Sequence, residues 1–470
     1  MTKKILIISN GPIPIPEYTK IEGGGMRCWG IAKGLKSYGN DITVAVRDNY
    51  PIKNTKTHQG IQIINWSSSK LEKTVLEYDV VVVSYSMGSI ASGLARSLPD
   101  NITLILDCYV PIYIEVSARN AENKEVEYKN YRRDLMHYNT SLLRGDYFLC
   151  ANRPQQHMYT GVLSALGIIN PYTYADKRIL HVPFGIDKNT NQSTKEISNP
   201  YIQLGIDDDD FVLLWFGGLY PWFDINPLLR AVKGISKANK KFKFVIVGGK
   251  NPYNKNPDFL KRYRYAHKYA EDNNLLNDVI HFVDWVDFEK RKSWYSNANA
   301  IISINNPGGE NTYSWRTRVM DYVWGGAPII TNGGDPLSEM LIDEQAAIRI
   351  SLLEKAGLQN TLKDLIASDE LRHAKKQIEK VQDRFYWEKV VAPINESIKE
   401  KPNPYLEEKS FAKNLDINIG PNSSQLTLQP NSSNRPPGLV RRGVRKIKKE
   451  GPTETLRVTI NYLKIKLRGR

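Results

Sequence analysis

The sequence predicts an α/β protein with two Rossmann-like, doubly wound domains, a disordered linker and a basic helical tail. Three observations carry this. At 470 residues the chain exceeds what one hydrophobic core usually organises. Short, continuous apolar runs alternate with apolar stripes at helical spacing from the start. The same series then begins afresh near residue 211.

In the first domain, residues 1–185, the predicted strands are Ile5–Ser9, Ile42–Val46, Ile61–Trp66, Val80–Tyr85, Leu104–Asp107 and Tyr147–Cys150. Their apolar residues run on rather than alternate, as parallel strands covered on both faces require. Cys28, Ile31, Ala32 and Leu35 make the first helical stripe between them. The polar connection from about Pro183 to Asp210 marks a domain boundary.

The second domain, residues 205–386, predicts strands at Phe211–Trp215, Phe244–Val247, Val279–Phe282, Ala300–Ile304 and Pro328–Thr331, with Leu228, Ala231, Val232 and Ile235 as a helical stripe. Trp387, Val390, Val391, Ile394 and Ile398 then form one more stripe, which Pro393 should kink. Residues 401–436 hold 17 Pro, Asn, Ser or Gly among 36 and predict a disordered linker.

Composition closes several classes. Apolar residues at 41%, aromatic at 10% and charged at 24% exclude collagen-like and wholly disordered chains. Three widely spaced cysteines, Cys28, Cys108 and Cys150, suit neither a disulfide framework nor a metal site and point to a reducing compartment. The apolar run at the start is four residues, against about 7–15 in a signal peptide. The longest uncharged apolar stretch, Phe211 to Phe223, has 13 residues broken by Gly217, Gly218 and Pro221, short of the ~18 of a membrane span.

The motifs narrow the chemistry. Glu22-Gly-Gly-Gly-Met-Arg27 opens a helix, and its glycines let backbone N–H groups approach an anion or sugar. No Gly-x-Gly-x-x-Gly dinucleotide fingerprint occurs. Asp107 ends a central strand at the carboxyl edge, where open α/β sheets bind ligands, or else caps the helix beyond Pro111. Asp207 to Asp210 reads as a solvated turn, and no metal is expected. The densest cluster runs from Asn305 to Pro328. There Ser314 is expected to cap a helix whose first N–H groups, including that of Thr317, face a phosphate. Arg316 or Arg318 would neutralise it, and Asp321 would accept ribose hydroxyls.

These stretches resemble GT-B glycosyltransferases of the family-4-like, retaining group. Asp321-Tyr-Val-Trp-Gly-Gly-Ala-Pro-Ile-Ile330 matches the second half of that group's Glu, seven residues, Glu hallmark. Trp215-Phe-Gly-Gly-Leu-Tyr-Pro-Trp-Phe-Asp224, Cys150-Ala-Asn-Arg-Pro-Gln-Gln, Ala165-Leu-Gly-Ile-Ile-Asn-Pro-Tyr-Thr-Tyr174 and Ser314-Trp-Arg-Thr-Arg-Val-Met-Asp-Tyr322 resemble a bacterial surface-polysaccharide subgroup. The resemblance spans about residues 1–400. It implies two domains facing a cleft, with helix 387–400 crossing back to the first domain. It also implies retaining transfer of a hexose from a nucleoside-diphosphate sugar to a hydroxyl of a lipid-linked bacterial glycan, without cofactor or metal. Gly24, Gly25 and Arg27 would serve the donor side with Gly217, Gly218, Glu310, Ser314 and Thr317. Asp107, Arg316 and Arg318 would be catalytic, Asp107 standing where many relatives carry a His.

Two departures stand out. Where the group has Gly-Arg-Leu and a Lys four residues on, this chain has Gly217-Gly218-Leu219 and Phe223. By strict count the first Glu of the hallmark falls on Tyr313, with Glu310 three residues earlier. Either Arg316 and Arg318 replace the lost charge or donor binding is lost. A non-catalytic subunit that binds glycan or partner, a nucleotide-sugar epimerase and a nucleic-acid binder are the alternatives.

Net charge is +15, of which residues 437–470 carry +9. Arg441, Arg442, Lys448 and Lys449 surround one apolar stripe of this tail, and Ile460, Leu463 and Leu467 belong to a second. Such helices lie on anionic membranes. The expected location is therefore cytoplasmic, peripheral at the inner face of the plasma membrane. Because the charge sits in a tail without an aromatic-bearing basic fold, no nucleic-acid partner is expected.

Overall fold

Eight strands make the first sheet of the computed structural model, which describes residues 2–18, 21–47, 55–117, 124–188, 198–220, 222–250, 257–352 and 357–400. They are β1 (Lys4–Ser9), β2 (Asp41–Arg47), β3 (Lys56–His58), β4 (Ile61–Trp66), β5 (Val80–Ser84), β6 (Thr103–Asp107), β7 (Tyr147–Cys150) and β8 (Ile179–His181). Their order is β3-β4-β2-β1-β5-β6-β7-β8, parallel except where β3 runs against β4. Ile5 to Ile8, Val80 to Val83 and all of β6 are buried, so the continuous apolar runs are strands covered on both faces.

The second sheet comprises β9 (Phe211–Phe216), β10 (Phe242–Val247), β11 (Ile280–Val283), β12 (Ala300–Ser303), β13 (Ile329–Thr331) and β14 (Ala347–Arg349). All pairs are parallel, in the order β11-β10-β9-β12-β13-β14. Both sheets fall in one compact unit. In each, the chain order reverses beside the first strand: β1 lies between β2 and β5, and β9 between β10 and β12. Strands diverging from such a switch point leave a crevice at their carboxyl ends, and that is where a ligand fits.

The sequence reading missed β3, β8 and β14. Each has three residues and an edge position or nearly so, too short to show a pattern.

Two strands of chain join the bodies side by side. Ile186 N–H donates to Phe385 O at 2.7 Å and Trp387 N–H to Ile186 O at 3.2 Å. The last helical stripe is broken, with helices at Trp387–Val390 and Ala392–Ser397 and Pro393 in the first turn of the second, where its missing N–H costs nothing. Trp387 packs on the first domain: a Cβ at Gly30 would lie 1.9 Å from its ring, so that helix position must be glycine. Tyr147 Oη donates to Ser397 O at 2.9 Å, fixing the far end. Residues 401–436 and the tail 437–470, with Arg441, Arg442, Lys448, Lys449, Ile460, Leu463 and Leu467, lie outside the described residues. Among the described residues no helix is long and apolar enough to cross a membrane.

Candidate functional site

The carboxyl edges of the two sheets enclose a cleft of about 340 Å³, with walls from both domains. From the second domain comes the turn after β9. Gly217 holds φ at +111°, a conformation only glycine adopts without strain, and donates to Val247 O at 2.8 Å. This turn seats Arg318. Its Nη2 donates to Gly218 O at 2.6 Å, and its guanidinium lies 3.8 Å from the Phe223 ring centre. A Cβ at Gly217 would stand 3.2 Å from Arg318 Nη2.

Arg318 has no carboxylate within ion-pair distance among the described residues, and its buried Nη1 has no acceptor. Burial lowers its pKa, but a guanidinium titrates too high to lose its charge. A cationic N–H group buried without an acceptor or counter-ion is costly unless an anion arrives. Phe223 is the platform on which this cation from another helix rests.

Arg316 is different. It donates through Nη1 to Glu310 Oε1 at 2.9 Å, and through Nη2 to Glu310 Oε2 and Asn311 Oδ1, both at 2.8 Å. The expectation that Arg316 offers spare positive charge is corrected: Glu310 neutralises it. Glu310 in turn is occupied, since Ser314 Oγ also donates to Oε1 at 2.6 Å. The expected capping by Ser314 is corrected too. Ser314 ends the short helix Gly309–Tyr313, while the next helix, Thr317–Gly325, starts at Arg316 with no side-chain cap. Its first N–H groups thus have no protein partner from a cap, and Thr317 lines the cleft.

Asp321, one turn further, reaches the cleft wall with its Oδ2 held by Arg291 Nη1 at 2.7 Å and Tyr295 Oη at 3.4 Å. Burial raises its pKa, and Arg291 opposes the rise. Arg291 comes from the helix Arg291–Ser296, outside the cluster read in the sequence, and no spacing pointed to it.

The first domain contributes α1 (Gly23–Ser37), whose N-cap residue Glu22 makes no side-chain cap bond. Gly23 lines the cleft, its missing side chain leaving room for Thr317, whose Cγ2 would be 3.4 Å from an added Cβ. Two helix N-termini therefore meet at one place with Arg318, and both carry partial positive charge.

The expected neighbours Gly24 and Gly25 do not line it. Gly24 faces open space, and Gly25 permits close packing, a Cβ there falling 1.9 Å from Pro12 O. Arg27 and Asp107 are likewise corrected. Arg27 donates through Nε and Nη2 to Asp107 at 2.7 and 2.8 Å, and to Pro183 O and Val182 O at 2.9 and 3.0 Å. Burial opposes the Arg27 charge, but Asp107 beside it leaves its pKa raised. Four of the five N–H groups of Arg27 and both oxygens of Asp107 are used, tying α1 to the ends of β6 and β8. Neither lines the cleft.

Asp207 to Asp210 form a turn: Asp210 Oδ2 accepts from Asp207 N–H at 3.0 Å, and Asp209 pairs with Lys241. Among the described residues no group of three or more His, Cys, Asp or Glu gathers as metal ligands.

No family model matches the chain, and no curated protein matches it by sequence. Solved structures do resemble it. Sucrose-phosphate synthase from Thermosynechococcus elongatus superposes with TM-score 0.58 at 17% identity, over 84% of this chain and 98% of that one. Anabaena HepE in complex with UDP-glucose gives TM-score 0.56 at 14% identity, with the same coverage of 84% and 98%. WaaG, a glycosyltransferase involved in lipopolysaccharide biosynthesis, gives 0.57 at 12% identity, covering 83% and 99%. The chain has the GT-B fold, two Rossmann-like domains facing a cleft.

Proposed function

We propose that this GT-B chain is a glycosyltransferase that moves a hexose from a nucleoside-diphosphate sugar to an acceptor hydroxyl. One observation carries the proposal: Arg318, half-buried, its Nη1 buried without an acceptor and with no counter-ion among the described residues, stands beside two uncapped helix N-termini at the switch point of the second sheet. Such a place suits a diphosphate. It suits the departing diphosphate still better, since its charge grows as the bond to the sugar breaks.

In this scheme the glycosidic carbon loses the diphosphate and gains the acceptor oxygen on the same face, which retains configuration, and the acceptor proton leaves with the phosphate. Arg318 and the Thr317 helix hold the leaving group without a metal. The remaining oxygen of Asp321 accepts a ribose hydroxyl, while Arg291 fixes the carboxylate. Glu310 and Arg316 shape the loop, and Asp107 and Arg27 brace the floor. HepE is solved with UDP-glucose and WaaG acts in lipopolysaccharide biosynthesis, which supports a sugar-nucleotide donor and a bacterial, lipid-linked glycan as acceptor. The basic tail would bring the enzyme to the anionic membrane that carries such an acceptor.

An epimerase needs free acid and base groups on both sides of the sugar. The carboxylates of Glu310 and Asp107 would have to serve, and each is engaged at both oxygens by an arginine. Incubation with a panel of nucleotide sugars, read as nucleoside diphosphate release, tests the proposal. Release with one donor is expected. Binding without release selects the non-catalytic subunit instead, and interconverted sugar with diphosphate retained selects the epimerase.

A further inference from the structure

The stretch Cys150-Ala-Asn-Arg-Pro-Gln-Gln belongs to the first domain, yet two of its side chains end on the second. Asn152 and Gln155 are 2% and 0% exposed. Inside their own domain each uses its oxygen: Asn152 Oδ1 accepts the Gln155 N–H at 2.9 Å, capping the helix Arg153–Ala165, and Gln155 Oε1 accepts the Ala151 N–H at 2.8 Å. Their amide nitrogens converge on one carbonyl across the domain boundary. Asn152 Nδ2 donates to Tyr313 O at 3.0 Å, and Gln155 Nε2 at 2.8 Å.

Gln155 Nε2 also donates to Tyr109 O at 2.8 Å. Tyr109 Oη then donates to Trp315 O at 2.5 Å and meets Thr317 Oγ1 at 2.8 Å. The segment from Tyr313 to Thr317 is thus tethered to the first domain immediately before Arg318. Only a side chain that accepts at one atom and donates at the other satisfies both ends. An acid at either position would set oxygen against the Tyr313 carbonyl.

We propose that Asn152 and Gln155 are positioning residues, which set Arg318 and the Thr317 helix terminus from the opposite domain so that the anion site is complete only when the domains meet. The proposal rests on the nucleotide-binding reading above. It also extends it, because neither residue lines the cleft.

Asn152→Ser keeps an oxygen acceptor for the cap and removes the donor to Tyr313; Gln155→Glu keeps the acceptor for Ala151 and turns the donor into a repelling oxygen. Full-length wild type and both variants are melted, titrated with UDP, GDP and ADP, and compared by amide hydrogen exchange over residues 314–318. The expected result for Asn152→Ser is a melting temperature close to wild type, a Kd for the bound diphosphate raised about two- to tenfold, the size of one net hydrogen bond, and faster exchange in that segment. Gln155→Glu should exceed it in both readouts. Wild-type Kd and exchange in Asn152→Ser overturn the proposal, as does lowered melting with Kd unchanged, the mark of a local structural role. If wild type binds none of the diphosphates, the nucleotide reading fails by itself; exchange over 314–318 then decides the tether, and unchanged exchange in both variants overturns it.

Discussion

Two arginines two positions apart have opposite roles. Arg316 is spent on Glu310, and removing one member of a buried pair costs about 3–5 kcal/mol of stability. Arg318 has no such partner, so its loss should leave melting nearly unchanged or raise it. Loss of a donor to the leaving group should cost ~2.7–4 kcal/mol in turnover, roughly a hundred- to thousandfold. Arg316→Ala should therefore lower the melting temperature clearly and Arg318→Ala should lower turnover; the reverse pattern would falsify the assignment. Asp321→Ala should do both, because it removes the ribose acceptor and strands Arg291, whose side chain is 10% exposed. Asp321→Asn should restore part of the stability and little of the nucleotide affinity, as thermal melting and titration calorimetry will show. The sequence pointed to both arginines by their clustering. It could not rank them, since the Glu310 contact that neutralises Arg316 depends on how the loop from 305 to 316 folds back, and the Arg27 to Asp107 pair joins residues 80 apart.

At the scale of elements, the candidate site is made by where strands end. The central strands were legible because both faces are covered and the apolar runs are continuous; Ile5–Ser9 and Leu104–Asp107 match to within one residue, and the buried Tyr147–Cys150 matches residue for residue. The helix that begins at Thr317 was legible only in part, since the preceding residues form a separate five-residue helix that takes Ser314 as its end. The turn after β9 offers a sharp test. Gly217→Ala forces a side chain into positive φ, a strain of about 1–3 kcal/mol, and crowds the Arg318 guanidinium. Its effect on diphosphate affinity should exceed its effect on melting. For Gly30→Ala the expectation is opposite. A methyl group there meets Trp387 head-on, so melting should fall while any protein that remains folded binds diphosphate normally.

The whole molecule divides its tasks: the GT-B body holds the candidate site, and the tail carries the charge. Deleting residues 437–470 removes +9 of the net +15. Co-sedimentation with anionic liposomes should then be lost while diphosphate release persists, and binding by the intact chain should weaken steeply with salt over a Debye length of ~8–10 Å. Undiminished liposome binding by the truncated chain would reassign the tail to a protein partner. For the body, the deciding property is an anion site built around an unpaired arginine. Calorimetric titration of wild type and Arg318→Ala with UDP, GDP and ADP, each beside its parent nucleoside, measures that directly. The predicted result is a diphosphate bound far more tightly than its nucleoside by wild type, with roughly tenfold or more of that advantage lost in Arg318→Ala, the scale of a hydrogen bond to a charged group. Equal diphosphate affinity in the two proteins would contradict it.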